Sequence, residues 1–162
     1  LEDGGTRFAS LSAVDLPARM GVLQEMLLHP DTVTGLSDAG AHVTLICDGS
    51  MPTTQLAYWT RDREKGEKIP IEFIVRKQTA LNAQLYGFDD RGSLEQGKKA
   101  DINVIDMDNL RVSPPVPHHD LPTGGTRLMQ PVSGYVNTLC NGISVREFDQ
   151  DTGDRPGRLV RS

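Results

Sequence analysis

One carboxylate in this chain stands where a carboxylate can do chemistry. The stretch Gly35-Leu36-Ser37-Asp38-Ala39-Gly40-Ala41-His42 puts an acid just past a short apolar segment, in a loop of small residues. Val33 and Leu36 supply apolar positions, and Thr32 and Thr34 suit extended backbone, so residues 32–37 read as a strand. Gly35 and Gly40 let the backbone turn sharply or pass close to a ligand. An acid at the C-terminal end of a parallel strand sits where α/β barrels build their active sites. The same octamer also fits an ordinary surface turn, where Asp and Gly are common. Neighbouring segments decide between the two.

The elements around the loop read clearly in places. From Asp15 the pattern is helical: Asp15 can cap, Pro17 sits in the first turn, and Met20, Leu23 and Leu27 recur at helical spacing until Pro30. Helix followed by strand is the order of a repeating β/α unit. Pro52 to Arg61 reads as a second helix with Leu56 and Trp59 turned to a core. Arg61 to Lys68 is a charged run that reads as a solvated loop. A long helix starts at Pro70, with Ile71, Ile74, Val75, Gln78, Leu81 and Leu85 on one face and Gly87 as its stop. Arg76 and Lys77 on it read as surface or ion-pair residues.

Beyond Gly87 the character turns to β. Ala100 to Asp106 alternates apolar and polar residues as a half-buried strand does. Val136–Cys140, Asn141-Gly142 and Ile143–Val145 spell a hairpin, because Asn and Gly tolerate the left-handed backbone its turn requires. Residues 111–125, rich in Pro and Gly, read as an irregular crossing, and the polar tail from Asp149 as a meander. The first dozen residues read as a ragged start, and Leu1 is no initiator residue, so processing or truncation is expected.

Composition narrows the function classes. A hydrophobic share of 37% with 16 Gly and 10 Pro fits many loops around a modest core. A net charge of -5 argues against nonspecific nucleic-acid binding, which needs a basic face. No apolar run could span a bilayer and no secretory signal opens the chain, so a cytoplasmic protein is expected, with Cys47 and Cys140 as reduced thiols. The four histidines, His29, His42, His118 and His119, form no His-x-His pair. His29 is explained by its place at a helix end. Adjacent His118 and His119 chelate one ion poorly and read as structural.

Three segments in order resemble one family. They are Ser37-Asp38-Ala39-Gly40-Ala41-His42, then Val75-Arg76-Lys77-Gln78-Thr79, then Arg91 to Asp106, which carries a G-x-L-x-x-G-x-x-A-D-hydrophobic signature. With His119-Asp120-Leu121-Pro122 and Gly124-Gly125 added, the chain resembles the C-terminal part of the N-acyl-D-amino-acid deacylases, metal-dependent amidohydrolases. The likeness covers roughly residues 15–161. It implies an α/β fold: residues 1–88 as the last units of a (β/α)8 TIM-type barrel, with 32–37 as its eighth strand. Residues 89–162 would then be the C-terminal strands of a small β-sandwich. A complete barrel takes roughly 250 residues, so the chain is expected to be incomplete in isolation.

The resemblance also implies a chemistry. Asp38 matches the carboxylate that binds or borders a divalent metal, zinc by expectation, and shuttles the proton while metal-bound hydroxide attacks the amide. His42 falls in the same loop, where it either lines the substrate pocket or bonds to backbone. The family's histidine ligands come from earlier strands and have no counterpart here, so this chain alone is expected to bind no metal and to be inactive. Cyclic-amide hydrolysis of the hydantoinase or dihydroorotase kind is the alternative within the superfamily. A non-catalytic module that oligomerises or pairs with a separate N-terminal polypeptide is the alternative outside it. Open barrel and sandwich faces predict a homo-oligomer.

Overall fold

The computed structural model describes residues 17–35, 37–40 and 42–160. Asp15, the expected helix cap, and the expected ragged start lie outside them. The helices come first: α1 (Pro17–Leu28), α2 (Met51–Ala57), α3 (Ile71–Gln78) and α4 (Ala80–Leu85). The strands follow: β1 (Ile102–Ile105), β2 (Arg111–Val112), β3 (Val116–His118), β4 (Arg127–Met129), β5 (Val132–Ser133), β6 (Tyr135–Cys140), β7 (Ile143–Glu147) and β8 (Gln150–Asp151). They form one antiparallel sheet in the order β1-β6-β7-β8 and two ribbons, β2-β5 and β3-β4.

Several expectations need correction. Residues 32–35 and 37 carry no strand. A strand exists through its ladder, and no described segment pairs with this one. The expected single helix from Pro70 is two, divided at Thr79 (φ -122°, ψ -87°). There the Thr79 hydroxyl donates to the Val75 carbonyl at 2.7 Å, offering the backbone an alternative to continuing the helix. Gly87 does end the helical stretch: at φ 69° its N–H reaches Gln84 O, and the Phe88 N–H reaches Ala83 O at 2.8 Å.

The charged run 61–68 is not uniformly solvated. Residues Tyr58–Asp62 form a π-type turn after α2, and Arg63 is only 5% exposed, its guanidinium 4.6 Å from the Trp59 ring centre. An aromatic face offsets part of the cost of burying that cation. Residues 111–125 are not irregular throughout either, since β2 and β3 lie within them, paired to β5 and β4. The polar tail holds β8 before it loses regular structure. In β1 the alternation fails: Ile102 and Ile105 are half-buried while Asn103 and Val104 are both exposed. A register shift between Val104 and Ile105 opposite β6 moves the faces out of phase.

The hairpin is as expected. Cys140 pairs with Ile143 across Asn141 (φ 51°) and Gly142 (φ 81°). The Asp101 carboxylate reaches over to accept the Asn141 N–H at 2.7 Å. The same Asp101 meets Arg91 at 3.3 Å, and Asp90 bonds both Arg91 and Lys99. Arg91 first and Lys99 second hold the Asp90 carboxyl down at about 2. The A-D signature is therefore a structural strap that ties the 88–101 loop to the hairpin.

The core joins helices to strands. Leu56, Ala57, Ile69, Ile74 and Leu110 form its buried centre, with Trp59, Ile105, Met107 and Tyr135 packed around it. Ile74 and Leu110 are wholly buried. Arg61 clasps the two halves, donating to the carbonyls of Met107 and Leu110. The Thr53 and Tyr135 hydroxyls meet at 2.7 Å across the same junction.

Candidate active-site loop

Asp38 lies on an exposed tight turn whose two ends are tied to the body of the protein. On the near side, the Thr32 hydroxyl bonds the Met26 carbonyl at 2.6 Å, and the Thr34 hydroxyl bonds the Lys77 carbonyl at 3.2 Å. Within the turn the Ala39 N–H donates to Ser37 Oγ at 3.3 Å, a side-chain stand-in for a backbone turn bond. Gly40 follows at φ 99°, a conformation that L side chains rarely adopt. His42 is itself left-handed (φ 46°), and its carbonyl accepts the N–H groups of Leu45 and Ile46.

On the far side, Leu128 N–H of β4 donates to Val43 O at 2.8 Å. A Cβ built on Gly49 would stand 3.4 Å from Ala39 Cβ, so the loop rests on the 3-10 turn Asp48–Ser50. The result is a carboxylate presented to solvent on backbone that is held at both shoulders. Such a group can accept a proton from water and return it to a leaving group. His42 is also exposed on this loop.

A cleft lies away from this turn. It has a volume of about 820 Å³ and opens between α1, α2 and α3, floored by residues 32–35 and walled by Met20, Leu23, Tyr58 and Trp59. Neither Asp38 nor His42 lines it. Among the described residues, no group of three or more His, Cys, Asp or Glu side chains could hold a metal ion. Asp38 thus belongs to no such cluster, and the donors among the described residues do not fit a metal site. His119 Nδ1 bonds the Thr126 hydroxyl at 2.9 Å, and Asp120 pairs with Arg127 at 2.6 Å. Both bonds are local ones, tying the segment after β3 to the start of β4.

Two polar residues were missed or misread. Asp48 is 7% exposed, and its Oδ1 has no hydrogen-bond partner. Its setting, Cys47-Asp48-Gly49, reads as a turn and gives no sign of burial. Lys77, expected on the surface or in an ion pair, is 3% exposed and bonds neutral oxygens instead. Its signal was available, because position 77 follows Ile74 by three and so shares its buried face.

The model of the amidohydrolase family matches residues 16–146. The chain belongs to the amidohydrolase family. This amidohydrolase segment is 35% identical over 100 residues to an N-acyl-D-glutamate deacylase of Alcaligenes xylosoxydans xylosoxydans, covering 60% of the chain and 18% of that protein. It is 34% identical over 133 residues to an S-triazine hydrolase of Gordonia rubripertincta, covering 80% of the chain and 27% of that protein. It therefore spans about a fifth to a quarter of the length of these relatives. No solved structure matches it. Among the described residues, no helix is long and apolar enough to cross a membrane.

Proposed function

We propose that this amidohydrolase segment serves a hydrolase that cleaves the amide bond of N-acyl-D-amino acids, with Asp38 as the proton shuttle. The observation that carries the reading is the exposed Asp38 turn, held by Thr32 and Thr34 on one side and β4 on the other, in a chain similar to a deacylase. Asp38 takes the proton of the attacking water and passes it to the departing amine, so one carboxylate acts as base and then as acid. His42, exposed four residues on, is the group we assign to substrate contact.

Members of the family generally use divalent metal ions, which supply Lewis-acid activation of water when bound. Asp38 is the group we assign toward such an ion, and zinc is the expected identity. Further ligands must then come from other parts of the functional enzyme, and the 162 residues alone are expected not to turn substrate over. We take residues 1–88 to close a (β/α)8 barrel and 89–162 to belong to a β-sandwich.

The test is a substrate panel with the natural gene product. N-acetyl-D-glutamate, its L enantiomer and an s-triazine are offered in parallel, and the released amine is measured. Turnover of the D compound well above the L compound supports the reading. A second reading has its own support, since the likeness to the triazine hydrolase covers the larger share of the chain. Turnover of the triazine alone would establish that reading in place of the first.

Copies of the chain are proposed to associate through the open edge of β1 and the exposed Val22 and Leu28 of α1. Unpaired edges and apolar side chains of this kind recruit a second copy. Light scattering across a dilution series is expected to show a dimer or larger. A monomer at high concentration would contradict it.

A further inference from the structure

Among the described residues, the backbone that leads into Asp38 pairs with no strand, and side chains from the helices hold it. The Lys77 ammonium, on α3, donates to the His29 carbonyl at 3.1 Å and to Thr32 Oγ1 at 2.7 Å. The Thr32 hydroxyl passes its own proton on to the Met26 carbonyl at 2.6 Å. Five residues after Lys77, on α4, Asn82 Nδ2 donates to Thr34 Oγ1 at 3.1 Å, and that hydroxyl donates to Lys77 O at 3.2 Å. Residues 29, 32 and 34 are thus pinned by Lys77 of α3 and Asn82 of α4, four to nine residues ahead of Asp38.

Stability alone does not account for this arrangement. Lys77 is 3% exposed with its ammonium 5.7 Å from the Phe73 ring centre, and burial pushes it below the usual lysine value. An apolar residue of the same length would fill the site without that desolvation cost. The ammonium supplies what such a residue cannot: two directed donors on two points of one segment. We propose that Lys77, acting through Thr32, is a positioning residue for Asp38. It fixes the approach of residues 29–35 so that the carboxylate meets its substrate at the right distance. The inference rests on the reading of Asp38 as proton shuttle and deepens it.

The test uses the natural gene product with N-acetyl-D-glutamate, activities being referred to folded protein measured by circular dichroism. Lys77→Met is expected to lower kcat about 10- to 100-fold while KM stays within about threefold, since the misplaced group acts in the chemical step. Thr32→Val, which removes the relay hydroxyl at nearly constant volume, is expected to lower kcat about tenfold, and the double variant to be no worse than Lys77→Met. Hydrogen exchange of the amides at 37–42 is expected to quicken in both. Thr32→Val keeps the test decisive if Lys77→Met fails to fold. Asp38→Asn is run beside them. If that variant is inactive while Lys77→Met and Thr32→Val keep normal kcat, the positioning role is overturned and the shuttle stands. If Asp38→Asn is fully active, the shuttle reading falls, and the positioning role with it.

Discussion

Leu110→Ala is expected to cost about 2–5 kcal/mol of unfolding free energy, the range for truncating a large aliphatic side chain in a packed core. Leu110 is wholly buried among Leu56, Ile69 and Ile74, so the cavity it leaves would open between the helices and the sheet. Gly134→Ala strikes the same junction by another route. Gly134 has φ 106°, and a Cβ there would stand 2.6 Å from Leu110 Cα and 2.9 Å from Leu110 N. The strained backbone costs roughly 1–3 kcal/mol, and forcing the overlap apart adds about as much.

Because those clashing atoms are backbone, shortening the Leu110 side chain gives no relief. The double variant should therefore lose about the sum of the two single losses. Urea unfolding followed by circular dichroism reads all three. A double variant no less stable than Gly134→Ala alone would mean that the side chain, and not the backbone, sets the contact.

What the sequence disclosed follows from how local each signal is. The Asn141-Gly142 turn, the Gly87 stop and α1 are written in a few adjacent residues, and the structure has them. The break at Thr79 turns on one hydroxyl choosing a carbonyl four residues back, which spacing alone does not reveal. The short ribbons β2-β5 and β3-β4 were hidden because each strand is only two or three residues long and depends on a distant partner. Residues 32–35 and 37 show the converse. Their composition suits a strand, yet a parallel strand without a neighbour has nothing to bond.

At the site, Asp38 was legible as an acid in a glycine-flanked loop, and its family context came from the order of three motifs. The supports were not legible. The spacing from Ile74 puts Lys77 on the buried face, but which oxygens its ammonium meets there depends on tertiary packing. The sequence places it three residues from Ile74 without saying what lies opposite. Asp48 is a similar case, since a Cys-Asp-Gly stretch reads as surface, yet its carboxylate is buried.

Asp38→Asn carries the largest expected effect. The amide has nearly the same size and can keep the turn, whose side-chain bond from Ala39 N–H to Ser37 Oγ does not involve residue 38. Asp38 is exposed, so the change leaves no buried group unsatisfied, and stability is expected to move by less than about 0.5 kcal/mol. What the amide lacks is basicity: it cannot take the proton of an attacking water or deliver it to the leaving amine. The most direct measurement is kcat for N-acetyl-D-glutamate in the natural gene product before and after this one change, with the melting temperature recorded alongside. The account predicts a fall of about 10²- to 10⁴-fold, the usual contribution of a positioned acid-base group, at an unchanged melting temperature. A variant with near-normal kcat would remove Asp38 from the mechanism and contradict the account at its centre.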